Sequence, residues 1–190
     1  KVNLFGIPVG VKIFNDLNPT NKSYEEWILE DYIDIYDSKA FKIKPLINNV
    51  NFDYYYARTT PVTDIIYFIN AVDKNLLDKS ECTLKQLTLR NALLDKYEKS
   101  NFDIKTHTVD LTEEIHLILN NEEKYSFYVN CFYRKINTDI GHQLGIKLMD
   151  HDNRNLLQSE YNDFLEIKAK NKEDKKRNIK SESVDTSGIL

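Results

Sequence analysis

The chain has 190 residues, of which 41% are hydrophobic and 12% aromatic, and its net charge is −4. This length and composition predict one domain with a substantial core. The acidic balance disfavours a protein that coats nucleic acid over its whole surface, and no stretch approaches the roughly 20 apolar residues that cross a bilayer.

The first 37 residues predict a β-hairpin followed by a helix. Residues 1–14 alternate apolar and polar positions around a Pro-Val-Gly sequence, which is typical of short edge strands. Ser23 and Glu26 have the spacing of a capping box, so a helix should follow and end near Asp37. One side of this helix carries an acidic row, which indicates a solvated face or a docking stripe for a basic partner: Glu26, Glu30, Asp34 and Asp37.

Residues 40–99 predict two strands and then two helices. The stretches 40–47 and 51–58 alternate at period two, as strands do. Thr60-Pro61 is a suitable helix start, and apolar residues then recur at helical spacing as far as Leu76. A second helix is expected from Thr83 to Lys99, and the short link makes the two helices antiparallel neighbours.

From Asn101 the hydrophobic period becomes two, which predicts an antiparallel meander of four strands. Residues 158–170 predict either a fifth strand or a closing helix. In the third of these strands the second face is partly apolar, so we expect the helix pair to cover it: Ser126, Tyr128, Asn130, Phe132 and Arg134. Helices in the first half and strands in the second predict an α+β domain, with an N-terminal hairpin and helices packed on a C-terminal antiparallel meander.

The C-terminal residues have a different composition. We predict a single domain over residues 1–168 and a basic, polar extension over 169–190 that is disordered unless bound, because no apolar period survives there. Its cations are candidates for contacts with phosphates or with the acidic row of a second copy: Lys170, Lys172, Lys175, Lys176 and Arg177.

Two cysteines do not indicate a disulfide framework. Cys131 lies in an apolar alternation and is expected to be a small core residue, whereas Cys82 lies near a helix start. A reducing compartment fits this reading, so we expect the protein in the cytoplasm or within a virion, with a processed or exported product left open.

The spacing of Asp150 and Glu166-Ile167-Lys168 resembles, over this short segment, metal-dependent nucleases of the restriction-enzyme type. Those enzymes hold a divalent metal on two carboxylates at strand ends and use the lysine beside the attacking water. However, only polar, lysine-rich residues remain after Lys168 to complete a core. We therefore expect an ordinary turn between two surface strands, with Asp150, Glu166 and Lys168 as the alternative catalytic set.

No other chemistry has a complete set of residues in the sequence. The His-x-Thr at His107 has no second copy, the four histidines lack zinc-ligand spacing, and the glycines form no phosphate loop. We therefore expect no cofactor and no metal.

These observations favour a non-enzymatic interaction or structural subunit of a larger assembly, such as a viral or phage particle or a bacterial machine. The expected partners are other protein subunits or copies of the same chain, because the 12 tyrosines are of the type enriched at interfaces. The alternatives are the nuclease and a nucleic-acid-binding module that works through the basic extension.

Overall fold

The computed structural model describes residues 2–13, 39–43, 45, 47, 49, 51–109, 111–119 and 124–184. For residues 39, 109 and 176–184 it describes the backbone alone. The strands are β1 Asn3–Leu4, β2 Ile7–Pro8, β3 Lys39–Lys42, β4 Tyr54–Thr59, β5 Ile66–Val72, β6 Phe102–Val109, β7 Thr112–Leu119, β8 Tyr125–Ile136 and β9 Asp139–Asp150. The helices are α1 Lys79–Tyr97 and α2 His151–Val184. The predicted α+β fold is confirmed.

A seven-stranded sheet in the order β3-β4-β5-β9-β8-β7-β6 forms the centre of the protein. Strands β6 to β9 make the predicted meander, and β5 joins it by pairing antiparallel with β9. The longest ladder joins β8 to β9, from the pair Tyr125–Asp150 to the pair Ile136–Asp139. Asn137 turns this hairpin in the left-handed region with φ 55°, which asparagine tolerates better than most residues.

Helix α1 covers one face of the sheet and forms the core with it. The carboxylate of Asp78 accepts a hydrogen bond from the Glu81 backbone N–H at 2.8 Å, which caps the first turn. Leu89, Leu93 and Leu94 are buried, and they belong to the same apolar cluster as the buried residues of β5, β7, β8 and β9. The buried Gln86 amide donates to two backbone carbonyls, those of Glu113 and Val129, so its burial is compensated.

The N-terminal hairpin is present, with its turn at Phe5 and Gly6, both at positive φ. Leu4 and Ile7 are buried in the core. The Tyr97 hydroxyl donates to the Asn3 carbonyl at 2.8 Å, which attaches the hairpin to the end of α1. The chain then runs beside the start of β5, where Gly10 N–H donates to the Ile66 carbonyl at 2.8 Å.

The predicted helix from Thr60 to Leu76 is wrong, because this segment is a turn followed by β5. The run Ile66–Val72 is rich in β-branched and aromatic residues, and β5 lies between β4 and β9 inside the sheet. A strand half-buried on both faces shows a nearly continuous apolar run, which periodicity does not separate from a helix. The predicted helix from Ser23 to Asp37 lies outside the described residues.

The segment after Asp150 is a helix, which is one of the two alternatives for residues 158–170, and it replaces the turn expected directly after Asp150. Helix α2 has 34 residues and continues through residues 169–184. The Asp150 carboxylate caps its first turn, and burial of Leu157 and Glu160 offsets the cost of nucleation. Lysine and glutamate then propagate a helix well. Leu157 and Glu160 are buried near its start, whereas residues 165–175 are exposed.

The buried carboxylate of Glu160 binds α2 to the turn before β5. Glu160 is 8% exposed, and its Oε2 accepts the backbone N–H groups of Val62 and Thr63 at 3.0 and 3.1 Å. Its Oε1 accepts the Thr63 hydroxyl at 2.6 Å. This acid therefore accepts three hydrogen bonds from the turn.

The expectation of two unpaired cysteines is wrong. Cys82 on α1 and Cys131 on β8 form a disulfide, with their Cα atoms 5.9 Å apart. Both residues are buried. The pairing joins positions 49 residues apart and so ties α1 to the middle of the sheet, a contact between distant elements that cysteine spacing does not indicate.

We expect Glu160→Gln to lower the free energy of unfolding by about 1–3 kcal/mol. The substitution replaces one of the two accepting oxygens with an amide NH2 group, which cannot accept a hydrogen bond, and removes the negative charge. Urea unfolding followed by circular dichroism measures the change. Glu166→Gln, on the exposed part of the same helix, is the matched control and should change stability by less than about 0.5 kcal/mol. Equal effects of the two substitutions would contradict the anchoring role of Glu160.

We expect removal of the disulfide by the double substitution Cys82→Ala and Cys131→Ala to cost about 2–4 kcal/mol, because a closed loop of this length restricts the unfolded chain. Urea unfolding of the oxidised protein, with and without a reductant, gives an independent value. The protein purified without reductant should show no free thiol when it is unfolded in the presence of a thiol reagent. Two free thiols per chain would contradict the pairing.

Candidate functional site

The two faces of the central sheet have different chemistry. One face is the apolar core beneath α1. The opposite face, here called the polar face, carries charged, aromatic and amide side chains from all seven strands. Side chains alternate along a strand, so each residue on the polar face lies between two core residues of its own strand. The alternation that builds the core therefore also determines which side chains lie on the polar face.

One row of the polar face crosses the entire sheet. Each member pairs directly with the next on the neighbouring strand, and six strand spacings give a length of about 29 Å. Its middle is half-buried and its ends are exposed. In order from β6 to β3 the row is Lys105, His116, Tyr128, Lys147, Asn70, Tyr56 and Lys42.

Two pairs of rings are stacked on the polar face. The rings of His116 and Tyr128 lie 4.3 Å apart between centroids and 14° from parallel. The rings of Tyr54 and Tyr56 lie 6.4 Å apart and 18° from parallel. The paired positions Tyr128, Lys147, Asn70 and Tyr56 lie on successive strands, so about 14 Å separates the two ring pairs.

A third ring lies beside the row at Gly145. Phe132 packs so closely over this glycine that an added Cβ would be 2.7 Å from its Cε2 atom. The Lys147 Nζ lies 4.9 Å from the centroid of the ring, and the Arg134 guanidinium lies 5.5 Å from it. Glycine at position 145 therefore allows a flat aromatic surface with two cations at its side.

Buried polar atoms in the middle of the polar face lack partners. Asn130 is 1% exposed, and its Nδ2 donates to Glu114 Oε2 at 2.9 Å. Its Oδ1, the Oδ1 of Asn70 and the Nε2 of His116 are buried and have no hydrogen-bond partner among the described residues. Each such atom costs about 1–3 kcal/mol, so three on one face require an explanation.

Burial also governs the electrostatics of this row. Desolvation lowers the pKa of Lys147, while nearby Glu114 acts in the opposite direction. Desolvation likewise lowers the pKa of His116 and raises the pKa of Tyr128 and of Tyr56. The row therefore favours a neutral imidazole and holds a lysine that gains stability from any anion placed against it.

The residues of the alternative nuclease set are not brought together. Asp150 ends β9 and is buried, where its carboxylate accepts the Asn153 backbone N–H and side-chain amide at 3.2 and 2.8 Å. Glu166 and Lys168 are exposed on α2, about 24 Å further along the helix axis. Asp150 caps α2, and no second carboxylate strand follows it.

The residues predicted to bind partners are in two places. Lys170, Lys172 and Lys175 are exposed on α2. Lys176 and Arg177 continue the helix, but their side chains lie outside the description. The acidic row Glu26, Glu30, Asp34 and Asp37 also lies outside the described residues, so its contact with the basic extension stays a prediction.

The polar face was partly visible in the sequence. The alternating residues of β8 indicated a second, partly apolar face, but the expected cover was the helix pair, and α1 packs on the opposite face. In the structure His107 pairs with Glu114 and lies diagonal to His116 on the same face. No sequence signal pointed to Asn70 or Lys147.

Comparison with protein-family models, with curated proteins and with solved structures gives no match. Over the described residues, no group of three or more histidine, cysteine or acidic side chains has the arrangement of a metal site. Neither α1 nor α2, as far as they are described, has the length and apolarity to cross a bilayer.

We expect acid to destabilise the protein partly through His116. The pKa of His116 in the folded state is lowered from the ordinary value of 6.5. At lower pH the unfolded chain therefore binds more protons than the folded chain, and the free energy of unfolding decreases as the pH is lowered. His116→Phe keeps a ring beside Tyr128 and removes the titration, so it should flatten the decrease between about pH 7.5 and 5.

Urea unfolding at several pH values measures this dependence. His107→Phe, on the exposed edge of the same face, is the matched control and should leave the pH dependence as in the unaltered chain. Parallel stability curves for His116→Phe and the unaltered chain would contradict the role given to His116.

Proposed function

We propose that the protein is a non-enzymatic interaction module that holds a negatively charged partner on its polar face, as one subunit of a larger assembly. The observation that carries this proposal is the row across seven strands, which has an exposed lysine at each end, Lys105 and Lys42, and the half-buried Lys147 in its middle. An anionic partner would contact these cations.

The charge of the polar face supports an anionic partner. Its basic sheet residues are Lys42, Arg58, Lys105, Arg134 and Lys147, against the acids Asp103, Glu114 and Asp139. This local surplus is opposite in sign to the net charge of −4 of the whole chain. A concentrated field of one sign steers a partner of the other sign to that face.

A non-catalytic role is supported by how the face is built. Catalysis by paired acids and bases needs groups that converge on one reacting atom. The polar face instead spreads rings, amides and cations over a strip, with Glu114 occupied by the Asn130 amide. Such a strip is suited to holding an extended partner.

We further propose an oxidising compartment or an exported product, in place of the expected cytoplasm. Disulfides persist in oxidising surroundings, and the Cys82–Cys131 pair is buried between α1 and β8. An assembly at a cell surface or in a particle outside the cell fits this requirement.

Fluorescence anisotropy with three labelled polyanions tests the function: a glutamate peptide, a heparin oligosaccharide and a single-stranded oligonucleotide. We expect at least one to bind. The triple substitution Lys105→Gln, Arg134→Gln and Lys147→Met should weaken that binding about ten-fold or more at low salt, because each lost cation removes a counterion-releasing contact.

The matched control is the triple substitution Lys170→Gln, Lys172→Gln and Lys175→Gln, which removes the same charge from exposed positions on α2. It should leave binding nearly unchanged. Binding that falls only in this control would assign the interaction to the basic extension and overturn the proposal. No binding of any probe, with both variants folded by circular dichroism, would overturn it as well.

A further inference from the structure

We propose that a second copy of this chain pairs with the protein through strand β6, so that two sheets join edge to edge across a two-fold axis. Strand β6 lies at one end of the sheet order, and no strand among the described residues pairs with its outer side. This inference goes beyond the proposed function, because it concerns the edge of the sheet and not the anion held on the polar face.

The outer edge of β6 is long, regular and exposed. All of Phe102–Val109 pairs with β7 on the inner side without a register shift, and residues 103–108 are exposed. The outer N–H and C=O groups of such a strand are a template for another strand, and proteins usually protect them with a proline, a bulge, a short length or a covering element. Within the described part of the chain, β6 has none of these protections, whereas the opposite edge strand, β3, has only four residues.

The residues of β6 are complementary to themselves in one antiparallel register. A two-fold axis perpendicular to the sheet keeps the polar faces of both copies on one side, so residues of the same face lie opposite each other. With Ile104 at the axis, Asp103 of each copy lies opposite Lys105 of the other. Within one copy these two side chains already form an ion pair, with 3.6 Å from Lys105 Nζ to Asp103 Oδ2. Opposite charges on directly paired residues stabilise two strands, and the symmetry supplies this pair twice.

The neighbouring registers lack this match. With Lys105 at the axis, the two lysines lie opposite each other, and with Asp103 at the axis the two aspartates do. Like charges in directly opposite positions destabilise a strand pair. With Thr106 at the axis, Lys105 lies opposite His107 and meets no carboxylate. The charges of β6 therefore select the register centred on Ile104.

Ile104 adds an apolar contact at the centre of the same register. Its side chain is 38% exposed and lies on the core side of the sheet, opposite to the face of Lys105. Across the axis it meets the same residue of the second copy, so pairing removes exposed apolar surface from water. The two-fold contact also uses β6 of both copies, so the assembly closes as a dimer and does not grow into a filament.

Sedimentation equilibrium of the full chain at low salt, over roughly 1–500 µM, tests the pairing. We expect an equilibrium between monomer and dimer. Asp103→Lys and Lys105→Asp should each raise the dissociation constant about ten-fold or more, because each places like charges opposite each other twice. The matched control is Asp163→Lys, at an exposed position on α2, which should dimerise as the unaltered chain does.

Exchange of the charges separates this register from a general effect of net charge. In an equimolar mixture of Asp103→Lys and Lys105→Asp, a lysine lies opposite an aspartate at both positions, so the mixed dimer should form as tightly as the dimer of the unaltered chain. The double variant Asp103→Lys, Lys105→Asp should dimerise with itself for the same reason.

A cross-link measures the register directly. Ile104→Cys places two thiols opposite each other at the axis, so a short bifunctional thiol reagent should join the two chains, while the native cysteines are already paired. Thr106→Cys is the matched control on the same strand and face. In this register the two introduced thiols are about 13 Å apart along the strands, and the reagent should leave the chains separate.

Three outcomes overturn the inference. One is a chain that stays monomeric over the whole concentration range. The second is a dimer that both charge variants leave unchanged, or that mixing the variants does not restore. The third is cross-linking through Thr106→Cys in place of Ile104→Cys. Circular dichroism confirms that each variant is folded before masses are compared. In all three cases the proposed function stands, since the binding of polyanions is measured separately by anisotropy.

Discussion

The pairing of β8 with β9 is the constraint on which the rest of the protein depends. Twelve consecutive residues of β8 pair with twelve of β9 without a register shift, and side chains alternate strictly along both strands. The register that places Phe127, Val129 and Leu148 in the core also places Tyr128, Asn130 and Lys147 on the polar face. A slip by one residue would exchange the two sets. Fold and candidate site are therefore set by one interaction.

Two further contacts hold this ladder in its surroundings. The disulfide from Cys82 to Cys131 and the Gln86 hydrogen bonds fix α1 over the core side of β8. Glu160 fixes α2 to the turn before β5 at the end of the sheet. The first turn of α2 also contacts the polar face, where a His151 ring nitrogen lies 2.8 Å from the Ser126 hydroxyl. Gly145 completes the arrangement, because any larger residue would displace Phe132 from its place over β9.

The sequence was sufficient for the parts of the fold that are local. Period-two alternation predicted the meander from β6 to β9, and the hairpin and α1 were recognisable from short-range patterns. The errors arose where long-range contacts override a local signal. Ile65, Ile69 and Val72 have helical spacing, but β5 is held between β4 and β9, where its β-branched and aromatic residues suit a strand.

The candidate site could also be predicted only where it depends on residues close together in the sequence. Ser126 to Arg134 revealed a mixed second face on β8 from the sequence alone. The row from Lys105 to Lys42 could not be found in this way, because it needs the register of six strand pairs and above all the contact of β5 with β9. Likewise, the apparent acid pair at Asp150 and Glu166 depended on a second strand, and the chain there forms a helix.

The unpaired buried atoms of the polar face lower the stability of the fold. A domain of this size has a net stability of about 5–15 kcal/mol, and unpaired buried polar atoms at about 1–3 kcal/mol each use a sizeable part of it. Substitution by apolar residues of similar size would recover that free energy, and β5, β7, β8 and β9 carry such residues at neighbouring positions. The unpaired amides and imidazole are therefore a feature of the sheet that the stability of the fold alone does not explain.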